Sequence, residues 1–71
     1  NLSERVLYAQ AEKEEIARKA VKLFSDGQSV ILDNGSTNML IAKHLPPELR
    51  ATVFTNSIPI AQILSEHPSV E

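Results

Sequence analysis

Residues 29–45, SVILDNGSTNMLIAKHL, pass from a β-branched apolar run through a small polar loop with one glycine into a helical pattern. SVILD, residues 29–33, is apolar on both faces, which is the signature of a strand buried on both sides, as in a parallel sheet. The loop Asp33-Asn34-Gly35-Ser36-Thr37 then turns the chain into a helix. A helix that starts there aims its first backbone N–H groups at one spot and favours an anion in front of it.

The rest of the chain repeats this plan. Met39, Leu40, Ile41, Ala42 and Leu45 form the apolar face of the helix after the loop, and Pro46-Pro47 ends it. ATVFT, residues 51–55, is a second buried-strand run, and Asn56-Ser57 opens a further helix with Pro59 in its first turn. Ile60, Ala61, Ile63 and Leu64 lie on that helix's face.

Upstream, Val6, Leu7, Ile16, Ala17, Ala20, Val21, Leu23 and Phe24 recur at three- and four-residue steps between charges. This predicts an amphipathic helix over residues 12–24. SERVLYAQ is either a separate short helix capped at Ser3-Glu4 or the N-terminal part of the same one, and Asp26-Gly27 is the expected stop. HPSVE, residues 67–71, reads as the start of another strand.

The order is helix, strand, helix, strand, helix, then a further strand. Such alternation predicts an α/β fold of right-handed βαβ units around a parallel sheet covered on its faces. Ligands of such sheets bind at the carboxyl ends of the strands. Two loops occupy that position, residues 33–38 and 55–57, and both are built of small hydroxyl and amide residues.

Composition narrows the function classes. Seventy-one residues without cysteine is near the size at which a lone core supplies only about 3–5 kcal/mol. With no thiol there is neither a disulfide frame nor a thiolate metal site, and the cytoplasm is the expected location. The net charge is −2, and the basic residues cluster between 13 and 22 beside glutamates without forming a basic stripe, a poor surface for DNA or an anionic membrane. No apolar run approaches the roughly 18 residues of a membrane span, and no signal peptide is visible. The chain reads as a truncated part of something longer.

The site chemistry suits a phosphate or a polyol. Gly35 admits close backbone approach, Ser36, Thr37, Asn38 and the 55–57 residues Thr55, Asn56 and Ser57 offer hydroxyls and amides, and the helix N-terminus adds partial positive charge. Asp33 could hold the loop, accept from a sugar hydroxyl or act as a base. The same residues also suit a plain strand-to-helix turn with an N-cap, and Thr55-Asn56-Ser57 suits capping alone. His44 is placed to steady a helix C-terminus, His67 to sit on a surface loop, and Lys13 to be solvated. Neither histidine has metal-ligand spacing, and no dinucleotide or P-loop glycine motif is present, so no cofactor or metal is expected.

From Glu12-Lys13 and Ile16-Ala17 through Asp26-Gly27, Asp33-Asn34-Gly35-Ser36-Thr37 and Val53-Phe54-Thr55-Asn56-Ser57 to Pro59-Ile60-Ala61, the chain resembles the first part of the C-terminal sensor domain of the DeoR family of bacterial transcriptional repressors. The family's loop is usually Asp, a small residue, Gly, Thr, Thr; Asp33, Gly35 and Thr37 keep it, and Ser36 keeps the hydroxyl. The resemblance implies a Rossmann-like three-layer fold similar to ribose-5-phosphate isomerase and coenzyme A transferases. It implies a winged helix-turn-helix upstream, absent from this chain, a phosphorylated sugar or related metabolite as effector, and no enzymatic activity.

On that reading residues 1–71 are a partial sugar-phosphate-sensing domain, DNA is met only through the absent domain, and a homo-oligomer is expected. The effector would lie against Asp33, Asn34, Gly35, Ser36, Thr37, Asn38, Thr55, Asn56 and Ser57, with residues 1–11 as candidate transmitting hinge. The competing reading is a fragment of a sugar-phosphate isomerase, whose base would be Asp33 or would come from residues beyond 71.

Overall fold

The computed structural model describes residues 1–70. Its elements run α1 (Leu2–Val21), β1 (Ser29–Ile31), α2 (Ser36–His44), β2 (Thr52–Phe54) and α3 (Ile58–Ser65). The two strands pair in parallel, Ser29 with Thr52, Val30 with Val53 and Ile31 with Phe54. Backbone bonds extend the ladder at both ends, from Thr52 N–H to the Gln28 carbonyl (2.9 Å) and from Leu32 N–H to the Phe54 carbonyl (3.0 Å). The predicted α/β alternation and parallel pairing are present, with α2 as the crossover between the paired strands.

The core is one cluster. Ala17 of α1, Leu32, Leu40, Ile41 and Ala42 of the β1–α2 unit, Leu45, Leu49, Ala51 and Ile60 of α3 are buried, with Val30, Val53 and Phe24 packed against them. α2 packs against both α1 and α3, so the described helices form one layer on one side of the sheet. Among the described residues the other side is bare, so the strands, expected to be buried on both faces, are covered on one. Ile31 is 76% exposed and its register partner Phe54 is 58% exposed. Both are apolar like their inward neighbours, so the period-two alternation of a half-covered strand is invisible in the residue types.

α1 is a single helix of 20 residues, so SERVLYAQ is its N-terminal part. Its cap is Asn1 rather than Ser3: the Asn1 side chain accepts from the Glu4 N–H at 2.9 Å. The helix ends at Val21, three residues before the expected Phe24, because Lys22, Leu23 and Phe24 each donate to the carbonyl three residues back and tighten the last turn. Asp26-Gly27 is not the stop. Gly27, at φ 85°, donates to the Arg50 carbonyl (2.7 Å), and Asp26 Oδ1 accepts from the Arg50 N–H (2.9 Å), which ties this turn to the lead-in of β2.

Four of the residues assigned to the apolar face of α1 lie in the open. Val6, Leu7, Ile16 and Leu23 are exposed, whereas Ala17, Ala20, Val21 and Phe24 meet the core. The first three turns of α1 run past the sheet, and the molecule is accordingly 43 Å long but 18 Å thick. His44 joins the two long helices, with Nε2 3.3 Å from Glu14 Oε2, which also lies 3.5 Å from the Arg18 guanidinium.

Residues 67–70 form a bend and not a strand, and Glu71 lies outside the described residues. The half-buried His67 holds this bend. Its Nε2 donates to the Pro46 carbonyl (2.7 Å), and its Nδ1 accepts from the N–H groups of Ser69 (3.1 Å) and Val70 (3.0 Å). The imidazole thereby takes the backbone donors that a sheet ladder would use. Among the described residues no helix is long and apolar enough to cross a membrane.

Candidate functional site

The loops after β1 and β2 stand side by side at the carboxyl ends of the strands, where their positions in a parallel sheet require them to be. In the first loop the Asn38 side-chain amide donates to the Asp33 carbonyl at 2.9 Å and closes the turn. Gly35 is the N-cap of α2, at φ 158° and ψ 149°, on the edge of the region that residues with a side chain rarely adopt. It offers no side chain to cap the helix.

The first backbone bond of α2 runs from Met39 N–H to the Gly35 carbonyl (2.9 Å). The amides of Ser36, Thr37 and Asn38 precede it and have no intrahelical partner. α1 and α3, by contrast, are capped by the side chains of Asn1 and Ser57. The free N–H groups at α2 carry the partial positive charge of that helix end, and both loops lack Lys and Arg.

The second loop is built around Ser57, which is 5% exposed. Its N–H donates to Thr55 Oγ1 (3.0 Å), and its Oγ accepts from the Ile60 N–H (3.3 Å) as the N-cap of α3. The same hydroxyl donates to Asn34 Oδ1 (3.2 Å) and so joins the two loops.

Two shallow depressions open there. One, of about 410 Å³, is lined by Asn34, Asn56, Ser57, Ile58 and Pro59; the other, of about 340 Å³, by Ile31, Asp33, Phe54, Thr55 and Asn56. The fold thus brings Asp33, Asn34, Thr55, Asn56 and Ser57 together around Asn56. Gly35, Ser36, Thr37 and Asn38 stand next to them on the first turn of α2 and line neither depression.

Sequence reasoning missed Ile31, Phe54, Ile58 and Pro59 as walls. The register of the two strands pairs Ile31 with Phe54 below the loops, one residue out of step with an alignment of the two apolar runs from their loops, so no signal in the runs themselves points to this wall. A larger depression of about 460 Å³, between Gly27, Gln28, Arg50, Thr52 and Ser69, lies at the opposite, amino end of the strands. Among the described residues no group of histidine and carboxylate side chains is arranged to hold a metal ion.

Residues 8–71 match the DeoR C terminal sensor domain. The chain is 42% identical over 69 residues to the HTH-type transcriptional repressor GlcR of Bacillus subtilis (strain 168), covering 97% of this chain and 26% of that protein. It is 38% identical over 58 residues to the lactose phosphotransferase system repressor of Streptococcus mutans serotype c, covering 82% of this chain and 23% of the relative. To the L-fucose operon activator of Escherichia coli (strain K12) it is 36% identical over 61 residues, 86% of this chain and 25% of that protein. No solved structure matches.

The chain therefore belongs to the DeoR C-terminal sensor domain family, and it spans about a quarter of the length of these relatives. The relatives are named as transcriptional repressors and an operon activator.

Ser57 gives a direct test of the joined loops. Ser57→Ala removes the cap of α3 and the bridge to Asn34 together. Loss of an N-cap costs about 0.5–2 kcal/mol, and equilibrium urea denaturation of the full-length protein should show a decrease in that range. Unchanged stability would mean that the cap and bridge contribute nothing to holding the site.

Proposed function

We propose that residues 1–71 are the leading part of the effector-sensing domain of a DeoR-type regulator that binds a phosphorylated sugar or related metabolite and modulates DNA binding. The observation that carries this reading is the uncapped N-terminus of α2, whose free amides lie beside the Asn34–Ser57 bridge at the carboxyl end of the sheet. Free helix-end N–H groups and small polar side chains complement a phosphate without a basic residue. The names of the lactose and fucose relatives tie those proteins to sugar metabolism, which fits such an effector.

In this reading Gly35, Ser36, Thr37 and Asn38 supply backbone donors and hydroxyls to the phosphate. Asp33, Asn34, Thr55, Asn56 and Ser57 form the adjoining wall for the rest of the metabolite. Asn38 keeps one amide hydrogen in the turn and contributes chiefly its backbone. DNA is met through a winged helix-turn-helix upstream, in keeping with the HTH-type name of GlcR. The full-length protein works in the cytoplasm as a homo-oligomer, and the bare Ile31–Phe54 face and the exposed Leu2, Val6, Leu7 and Tyr8 supply apolar surface to be covered in that larger assembly.

The effector acts by binding one arrangement of the sensor more tightly than the other. A coupling of about 1–3 kcal/mol changes operator affinity roughly 5–150-fold. An isomerase would need a positioned base and a group to hold the enediolate, and these loops offer Asp33 alone.

Calorimetric titration of the full-length regulator with hexose and pentose phosphates, and with the same sugars unphosphorylated, tests the proposal. At least one phosphate ester should bind and alter operator affinity in a gel-shift assay, and its parent sugar should not. Binding of the parent sugar with equal affinity would overturn the anion reading.

A further inference from the structure

α1 carries an apolar stripe that the core does not use. Leu2, Val6, Ala9, Lys13, Ile16, Ala20 and Leu23 follow one another in strictly alternating steps of four and three residues, and all but Lys13 are apolar. This is the narrow a/d seam of a coiled coil, with Val6, Lys13 and Ala20 at a and Leu2, Ala9, Ile16 and Leu23 at d. The core takes a neighbouring stripe, Ala17, Val21 and Phe24, and shares only Ala20 with the seam. Leu2, Val6, Ile16 and Leu23 are more than half exposed, and every residue from Asn1 to Glu12 is exposed. The seam is thus open over its first half and meets the fold of its own chain only from Ala17 onward.

The charges beside the seam say what covers it. Arg5 and Glu12 hold its g positions, and neither makes an ion pair among the described residues. A second copy laid parallel would set Lys13 against the partner's Lys13 and bring the partner's Glu12 to Ala17, which the core already encloses. An antiparallel copy that puts Val6 opposite the partner's Ala9, and Leu2 opposite the aliphatic stem of the partner's Lys13, escapes both. In that register Arg5 and the partner's Glu12 are two residues apart along the axis, about 3 Å, and two-fold symmetry makes the pair twice. Ala17 of each copy falls outside the overlap, so the core side of α1 is undisturbed.

We infer that the exposed stripe of α1, residues 2–13, is an antiparallel helix–helix interface with a second copy of this chain, closed by two reciprocal Arg5–Glu12 pairs. The inference deepens the homo-oligomer of the reading above by naming its surface and its geometry.

Sedimentation equilibrium of the full-length protein at low ionic strength, with circular dichroism as the fold control, tests it. Arg5→Glu and Glu12→Arg each replace two attractive pairs by two repulsive ones, and each should raise the self-dissociation constant roughly fivefold or more. The double variant Arg5→Glu with Glu12→Arg restores opposite signs and should return to within about twofold of wild type. Val6→Glu, which puts a charge into the seam itself, should raise the constant roughly tenfold or more. All three side chains are exposed, so the fold should not change.

Single variants with the wild-type constant, or a double variant that does not recover, would overturn the interface while leaving the homo-oligomer standing. A monomeric wild type would overturn both. A melting temperature lowered in Val6→Glu with no change in mass would give the stripe to a neighbouring part of the same chain, and would sink the interface as well. The effector reading stands or falls by the sugar-phosphate titration and not by this measurement.

Discussion

Gly35→Val in the full-length regulator is expected to weaken binding of a phosphorylated effector by roughly a hundredfold or more, with little change in operator affinity when effector is absent. Within the chain a Cβ at residue 35 would meet nothing within 4 Å, so the substitution crowds no other protein atom. Its effects are two. The backbone at φ 158° and ψ 149° suits glycine, and forcing a β-branched residue there costs about 1–3 kcal/mol unless the turn rearranges. The valine methyls would also be added at the N-cap of α2, next to its free amides.

Displacing a phosphate from two charge-assisted hydrogen bonds forfeits about 1.5–3 kcal/mol for each, which sets the scale of the loss. Gly35→Ala should give the same direction with a smaller effect. Calorimetry on variants whose circular dichroism matches wild type makes the measurement. Wild-type affinity in Gly35→Val would return the loop to a plain strand-to-helix turn.

The largest effect on stability is expected at Ile60. It is wholly buried and is the bulkiest side chain so enclosed, and it lies in the first turn of α3, three residues after the Ser57 cap. Ile60→Ala removes part of the packing that holds α3 against the core and leaves a cavity; such truncations cost about 2–5 kcal/mol. That is a large share of the roughly 5–15 kcal/mol that holds a typical domain folded. Urea denaturation of the full-length protein should show the loss, and effector affinity should fall as well, because Ser57 and its bridge to Asn34 rest on that turn. A change below about 0.5 kcal/mol, the scale of a surface substitution, would contradict the packing described for α3.

The readable parts of the fold were those encoded locally. Pro46-Pro47 follows α2 because proline disfavours helix in the residue before it, and Leu45 is indeed extended, at ψ 131°. Ser57 before Pro59 marks a helix start by its own chemistry, and the cap is there. What was not readable depends on how far a surface is covered. Val6 and Ile16 have the spacing of a buried face, but periodicity does not state how much of a helix its neighbour covers: Val6 lies on the stretch of α1 that is exposed throughout, and Ile16 is exposed beside the buried Ala17. Ile31 and Phe54 fail for the same reason from the sheet side.

The remaining misreadings are side chains that serve the backbone. His67 takes two N–H groups that a strand would have used, and Asp26 anchors the lead-in of β2 where a helix stop was expected. In the candidate site the composition of both loops was legible. Their junction was not, because a hydrogen bond across 23 positions, between Ser57 and Asn34, leaves no trace in either loop alone.

The unbroken run of α1 joins residues 1–11, the candidate transmitting hinge, stiffly to the part of the helix that meets the core. Ala17 is its fulcrum, enclosed by the core, and Leu2 lies 15 residues away, roughly 22 Å along a straight helix. A tilt of about 10° at the fulcrum, the scale of a small helix adjustment, would carry the Leu2 end about 4 Å sideways. An angular change too slight to disturb the packing around Ala17 would thereby become a displacement comparable to the rise of nearly three helical residues at the Leu2 end. On the sensor reading proposed above, the stiffness of one helix would set the gain of the signal.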